Sequence, residues 1–342
     1  MKCTDNNSET NKKLIGQVAT IVLSVIVISA VIILAYLKYT DTKRYDYSVS
    51  NYEKEFYASA LEDKELFASN LCTTPSDVTL DGFNLREDIH GAAIFDITDN
   101  KVLYGEELFT KIYPASTTKL LTAYIAFKYG NMDDIVTVSN NAVNIPGDAQ
   151  KCGIKPGDKI SMYDLVAGLL LYSGNDAAIA IAEHISGNTE EFVDLMNSEA
   201  GKLGAVHTHF VNPHGLHNDD HYTTIYDLYL MFNACMEYEE FNNIYSQSHY
   251  VASVNSAKGE EKVIGWTASN FFSSGDFTIA DGFTSNGGKT GTTDKAGSCL
   301  IFKTTYENGK ECIAVLMGAK DKKDLYSEIN IMLNAGKSVL ND

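Results

Sequence analysis

Arginine is almost missing from this chain: of its 27 basic residues only Arg44 and Arg86 are arginines, and 45 acidic residues leave a net charge of −18. The tail before residue 14 sets three lysines against Asp5 and Glu9, so the negative charge falls on the body beyond it. Such a body is a poor partner for nucleic acid, and it repels polyanions and stays dissolved. A disulfide framework is also missing. Of six cysteines, Cys3 lies in the tail, and Cys72, Cys152, Cys235, Cys299 and Cys312 are an odd number. A domain of this size needs no covalent staples, so most are expected to be buried thiols. No internal repeat or low-complexity block interrupts the 342 residues, which suit one large domain plus appendages.

One long hydrophobic run is present. Residues 14–37, LIGQVATIVLSVIVISAVIILAYL, carry no charge. At ~1.5 Å per residue that helix is roughly 36 Å long, enough for a ~30 Å hydrocarbon layer. No convincing small-x-small cleavage site follows it, so an uncleaved anchor is expected rather than a long cleaved signal or a buried core helix. Lys2, Lys12 and Lys13 before the span are matched by Lys38, Lys43 and Arg44 after it, so flanking charge does not fix orientation. The expected organisation is a tail over 1–13, the anchor over 14–37, a polar stalk over 38–84 and a globular domain over 85–342. A short helix is expected within the stalk, from 61 to 70.

Within the globular part, 92–97 and 101–105 flank Thr98-Asp99-Asn100 as a hairpin. A helical run opens at Ser116 and stops at Gly130. Ser161 reads as the N-cap of a helix that puts Met162, Leu165, Val166, Leu169 and Leu170 on one face. Two further helices are expected over 177–185 and 189–203. A second hairpin spans 298–306 and 311–318 around Glu307-Asn308-Gly309-Lys310. The last helix, from Asp324, carries Leu325, Ile329, Met332, Leu333, Gly336, Val339 and Leu340 on one stripe. Strands at both ends with helices between predict an α/β sandwich. Its antiparallel sheet joins the two ends of the domain, with helices on both faces and a mostly helical subdomain.

Three short motifs stand in order along the chain: Ser116-Thr117-Thr118-Lys119, Ser173-Gly174-Asn175 and Lys289-Thr290-Gly291. Together they offer a nucleophile, a base, a relay hydroxyl and a carboxylate anchor, the equipment of acyl transfer. At i and i+3 on a helix, Ser116 and Lys119 share a face, and a neutral lysine can take the serine proton. Burial and a nearby cation, for which Lys289 is the candidate, both favour that neutral form. N–H groups at the helix start suit a developing oxyanion. Ser173 can pass a proton to a leaving amine, and the Asn175 amide can hold a substrate backbone. The same S-x-N letters recur at Ser139, Ser186 and Ser253, but in a polar loop, an interhelical turn and a strand. Lys289 and Thr290, on an expected edge strand, can bind a carboxylate. Gly291 allows close approach, and the Thr292 N–H is a second oxyanion donor. His207, His209, His214, His217 and His221, beside Asp219 and Asp220, have ligand-like spacings. Pro213 and Gly215 break that stretch, so no metal is expected there.

The segments YPASTTKLLTAYIA, LLLYSGNDAAIAIAEHISG, HTHFVNPHGLHNDDHYTT and GGKTGTTDKAGS resemble the serine D-alanyl-D-alanine carboxypeptidases, the low-molecular-mass penicillin-binding proteins. The resemblance covers about 88–342. It implies a β-lactamase/transpeptidase-like fold, an exocytoplasmic domain acting on peptidoglycan stem peptides ending in D-Ala-D-Ala, inhibition by β-lactams, and no cofactor. It further implies Ser116 as acylated nucleophile, Lys119 as its base, Ser173 and Asn175 as the second element, and Lys289, Thr290 and Gly291 as the third. Many relatives carry a β-rich domain and an amphipathic anchor after the catalytic domain. Only about fifty residues come after Gly291 here, so the N-terminal span is expected to anchor instead, with the N-terminus inside. Two other readings stay in play. A serine β-lactamase shares the three elements, but its ExxLN carboxylate motif is missing. A non-catalytic penicillin-binding sensor or wall-binding scaffold would keep the tether without turnover.

Overall fold

A computed structural model describes residues 6–42 and 68–341, which fall in two units divided after Phe67. In the first, helix α1 spans Asn6–Thr42. Its stretch Lys12–Lys38, of mean hydropathy 3.0, is long and apolar enough to cross a membrane. Two of its hydroxyls bond back into the helix, Thr20 Oγ1 to Gly16 O at 2.8 Å and Ser24 Oγ to Thr20 O at 2.9 Å. Neither therefore presents an unmet donor to hydrocarbon.

The second unit, Ala68–Asp342, is organised by five antiparallel strands in the order β2–β1–β9–β8–β7. These are β1 (Gly91–Asp96), β2 (Lys101–Glu106), β7 (Phe283–Thr293), β8 (Gly297–Tyr306) and β9 (Glu311–Ala319). Both expected hairpins form, and β1 pairs with β9, so the sheet does join the two ends of the unit. Helix α9 (Lys322–Leu340), capped by Asp321, buries Leu325, Ile329, Met332, Leu333 and Leu340 against Leu300, Phe302 and Leu316. Val339, expected on that stripe, is instead exposed at its rim, where Leu340 closes the core. The opposite face of the sheet presents Phe95, Ile301, Ile313 and Val315 to the larger, mainly helical core. There the Phe95 ring stacks on Tyr229 of helix α6 (Ile225–Cys235), with centroids 4.1 Å apart.

The helical side also holds a second sheet, of which the pattern announced only a strand at Ser253. Its strands are β3 (Ile135–Thr137), β4 (Lys159–Ser161), β5 (His249–Asn255) and β6 (Glu261–Thr267), in that order. Two of them are three residues long and the other two are wetted on one face, so no strong apolar run marked them.

Ser161 caps helix α3 (Met162–Ala167), its Oγ accepting from Asp164 N at 3.0 Å, and the expected apolar face is buried. The chain then widens into a π-turn over Gly168–Tyr172 before helices α4 (Asn175–Ser186) and α5 (Thr189–Lys202). Gly187, at φ 82°, and the Asn188 cap make Ser186-Gly187-Asn188 the expected interhelical turn. Gly130 ends its helix with an extended backbone, at φ −88°, rather than a left-handed one. A side chain is barred there because its Cβ would lie 2.7 Å from Ala126 O.

Residues 43–67, with most of the expected stalk and all but the last residues of its helix, lie outside the described residues. Residues 68–84 belong to the folded unit. Cys72 is fully buried, its N–H donates to Tyr229 OH at 2.8 Å, and Val78 bridges to Gly105. The folded unit thus starts at Ala68, ahead of the boundary expected at 85. Cys72, Cys152, Cys235, Cys299 and Cys312 are buried free thiols.

Candidate active site

Ser116 sits not in the α-helix but in a 3-10 turn, Ala115–Thr118, that leads into α2 (Lys119–Tyr129). The tighter turn stacks positions i and i+3. Lys119 Nζ consequently reaches Ser116 Oγ at 2.9 Å. The same nitrogen touches Asn175 Oδ1 at 2.8 Å and His214 O at 2.6 Å. Lys119 is fully buried, whereas Ser116 is only half-buried and open to a ligand. Burial, and then the nearby Lys289 charge, push the Lys119 pKa well below its ordinary 10.5. A neutral amine has two hydrogens and one lone pair. In that neutral form, with the hydrogens on the carbonyl oxygens of Asn175 and His214, the lone pair would be left for the Ser116 hydroxyl.

Ser173 comes directly after the π-turn in a left-handed conformation, φ 68°, uncommon for a residue with a side chain. The extra residue of a π-turn shifts the register of the chain beyond it. Here it delivers Ser173 Oγ to Lys289 Nζ, 2.8 Å away. Lys289 Nζ also donates to Thr290 O at 2.9 Å. Its burial, with Lys322 nearby, lowers its pKa to about 7. Asn175 begins α4, and its N–H is fixed on Gln150 O at 2.9 Å. Next to it, the Asp176 carboxylate accepts from the N–H groups of Cys152, Gly153 and Ala177 and so is committed to the backbone.

Strand β7 is an edge strand, as expected, with Lys289, Thr290, Gly291 and Thr292 opposite Ile301, Leu300, Cys299 and Ser298. It passes close to the serine turn. A Cβ on Gly291 would lie 2.9 Å from Ser116 N and 3.0 Å from Pro114 O, so only glycine fits. Thr290 Oγ1 is 2.7 Å from Ser269 Oγ, and Thr292 is exposed. The three motifs therefore meet at one place. The other S-x-N serines serve the scaffold: Ser139 Oγ bonds Glu183 at 2.6 Å, and Ser253 Oγ bonds Glu261 at 3.2 Å.

The histidine-rich stretch forms the wall behind Ser116. Thr122 Oγ1 donates to Pro213 O at 2.6 Å, and Gly215, at φ 86°, sits so close that a Cβ would fall 1.8 Å from Ala115 O. His221 Nε2 is 2.8 Å from Thr118 Oγ1, while His217 packs edge-on against Tyr113. Among the described residues no group of three or more His, Cys, Asp or Glu is placed to hold a metal ion. Sequence reasoning overlooked the His214 carbonyl, Gly215, His221 and Ser269. The only signal for the first two was the turn-forming Asn212-Pro213-His214-Gly215.

The sequence model of a family described as D-alanyl-D-alanine carboxypeptidase matches residues 86–321. The chain belongs to that family. It is 31% identical to D-alanyl-D-alanine carboxypeptidase DacF of Bacillus subtilis, over 73% of this chain and 62% of the relative. It is 30% identical to DacA of Haemophilus influenzae, over 77% and 63%. The chain thus spans about three fifths of the length of these curated relatives. Among solved structures, the Streptomyces K15 DD-transpeptidase superposes with a TM-score of 0.68 at 25% identity, covering 77% of this chain and 99% of that one. A D-alanyl-D-alanine carboxypeptidase from Mycobacterium tuberculosis H37Rv gives 0.66 at 25% identity, over 77% and 96%. Family and fold thus agree with the expected β-lactamase/transpeptidase-like sandwich.

Proposed function

We propose that this protein is a membrane-anchored serine DD-carboxypeptidase that removes the terminal D-Ala from peptidoglycan stem peptides. The observation that carries this reading is the buried Lys119 amine 2.9 Å from Ser116 Oγ, with its two other contacts on carbonyl oxygens. Lys119 takes the Ser116 proton as Oγ attacks the penultimate D-Ala carbonyl. The oxyanion is met by the N–H groups of Ser116 and Thr292. Ser173, held by Lys289, relays a proton to the departing D-Ala amine, while Asn175 orients the stem backbone. Lys289 and Thr290 bind the terminal carboxylate, and Gly291 leaves room for the peptide along β7. Water then hydrolyses the acyl-serine. β-Lactams acylate the same serine.

α1 serves as the anchor, with the N-terminus inside and the folded unit outside, where the stem peptides are. No carboxylate among the described residues is hydrogen-bonded to Ser116, Lys119 or Ser173. That speaks against the β-lactamase reading, which needs fast deacylation. The test is incubation of the detergent-solubilised chain with a stem pentapeptide, followed by mass spectrometry. Loss of a single D-Ala is expected. A stable penicillin adduct without peptide turnover would replace this reading with the sensor.

A further inference from the structure

The contacts behind Ser116 form a directed chain that ends on one peptide group. Val211 N–H donates to His221 Nδ1 at 3.1 Å. That assignment places the ring hydrogen on Nε2, which faces Thr118 Oγ1 at 2.8 Å. Thr118 Oγ1, receiving that hydrogen, gives its own to Ala115 O at 2.8 Å. The path is buried: His221 is 2% exposed, Thr118 0% and Ala115 3%. Burial, with His209, Lys119 and His217 nearby, holds the His221 pKa down at about 3. The ring therefore stays neutral over the working range, with one donor and one acceptor.

Ala115 O is the carbonyl of the peptide whose nitrogen belongs to Ser116. In a planar trans peptide the C=O and N–H point in opposite directions. Pinning Ala115 O inward on Thr118, with Gly215 packed over it, therefore aims the Ser116 N–H outward, toward the strand at Gly291. The pinned carbonyl is also held against its own backbone preference, since Ala115 has φ 47° without being glycine. A chain of hydrogen bonds polarises along its length, and a polarised C=O makes its partner N–H a stronger donor.

We propose that His221 is a positioning residue, acting through Thr118 and the Ala115 carbonyl to orient and strengthen the Ser116 N–H that stabilises the oxyanion. The inference rests on the acyl-serine reading of the site. It separates two roles within one turn: the Lys119 side handles the proton, and the His221 side handles the developing charge.

The experiment uses the full-length chain in detergent, with benzylpenicillin as the probe. It measures the acylation rate constant, the ester carbonyl stretch of the acyl-enzyme by infrared difference spectroscopy, and the thermal midpoint. Removing an oxyanion donor outright costs roughly 10²–10³ in rate, so misaiming one should cost about 10–100-fold. Thr118→Val is expected to acylate about 10–100-fold more slowly and to move the ester stretch to higher wavenumber. Thr118→Ser, which keeps the hydroxyl, should keep both near wild type. His221→Gln can donate and accept in the same places and should recover much of the rate that His221→Leu loses. Wild-type acylation rate and an unshifted ester band in folded Thr118→Val would overturn the inference while leaving the acyl-serine reading intact. No acylation of the wild type would overturn both. Should the variants not fold, nitrogen NMR of wild-type His221 decides: a proton on Nε2 supports the chain of donors, and one on Nδ1 overturns it.

Discussion

Lys289 Nζ lies 2.8 Å from Ser173 Oγ, which ties the edge strand β7 to the left-handed residue after the π-turn. Lys119 and Ser116 form a parallel pair at 2.9 Å. Each of two buried lysines thus has its own serine, and each is held below the ordinary lysine range by burial first.

If Ser116 is the nucleophile, a labelled penicillin will attach there alone. Ser116→Ala should abolish labelling with an unchanged thermal midpoint, and peptide turnover should fall by several orders of magnitude. Peptide mapping of the labelled chain is the check, and a label that survives in the alanine variant would remove the central assignment.

Lys289→Ala separates carboxylate recognition from proton transfer. A charge-assisted contact contributes roughly 1.5–3 kcal/mol, so kcat/KM should drop about 10–100-fold. The Lys289 charge depresses the Lys119 pKa, so its removal raises that pKa. Lys119 must be neutral to act, and the acidic limb of the pH–rate profile should therefore move to higher pH. A C-terminally amidated substrate should lose rate on the wild type and little more on the variant. Equal losses on both would mean that Lys289 does not read the carboxylate.

Glu199 of α5 is fully buried, and its carboxylate accepts from Lys128, Tyr129 and Lys202, each at 2.6 Å. Burial pushes its pKa up, but these three donors outweigh burial and hold it at about 2 against an ordinary 4.5. The folded pKa is the lower one, so the stabilisation is complete above 4.5 and is lost as pH falls toward 2. Glu199→Gln should cost about 1–3 kcal/mol at neutral pH and flatten the loss between these values. Urea unfolding at several pH values would show it. An acid profile as steep as that of the wild type would mean that the cluster does not stabilise α2 against α5.

Removing residues 1–42 should release the protein from membranes with peptidase activity intact, because every proposed catalytic residue lies in the unit that begins at Ala68. In cells, an impermeant β-lactam added outside should reach Ser116 of the full chain. Labelling only after lysis would reverse the proposed orientation.

The three motifs that meet in the candidate site were legible because the only SxxK and KTG stand in order along the chain. The sheet was legible where a strong turn signal, Asn308-Gly309, separated two apolar runs. Backbone irregularities were not. A π-turn and two left-handed residues with side chains, Ala115 and Ser173, are imposed by packing against local preference, so propensity points away from them. The contact of His221 with the serine turn escaped notice because its partner, Thr118, lies 103 residues away. The second sheet was missed because β3 and β4 are only three residues long and β5 and β6 are wetted on one face. Residues 68–84 were read as stalk because they are tied down by α6 and β2 rather than by their own pattern.

The pairing of β1 with β9 also sets an order of events during folding. The strand that completes the centre of the sheet is synthesised after both of its neighbours, so a chain halted at residue 310 leaves β1 and β8 each with a bare edge. Bare apolar edges recruit other chains, and such distant pairings form slowly. An unfinished molecule is therefore expected to depend on holding factors until Glu311–Ala319 arrives, and deletions within that strand should yield aggregates rather than a folded but weakened protein.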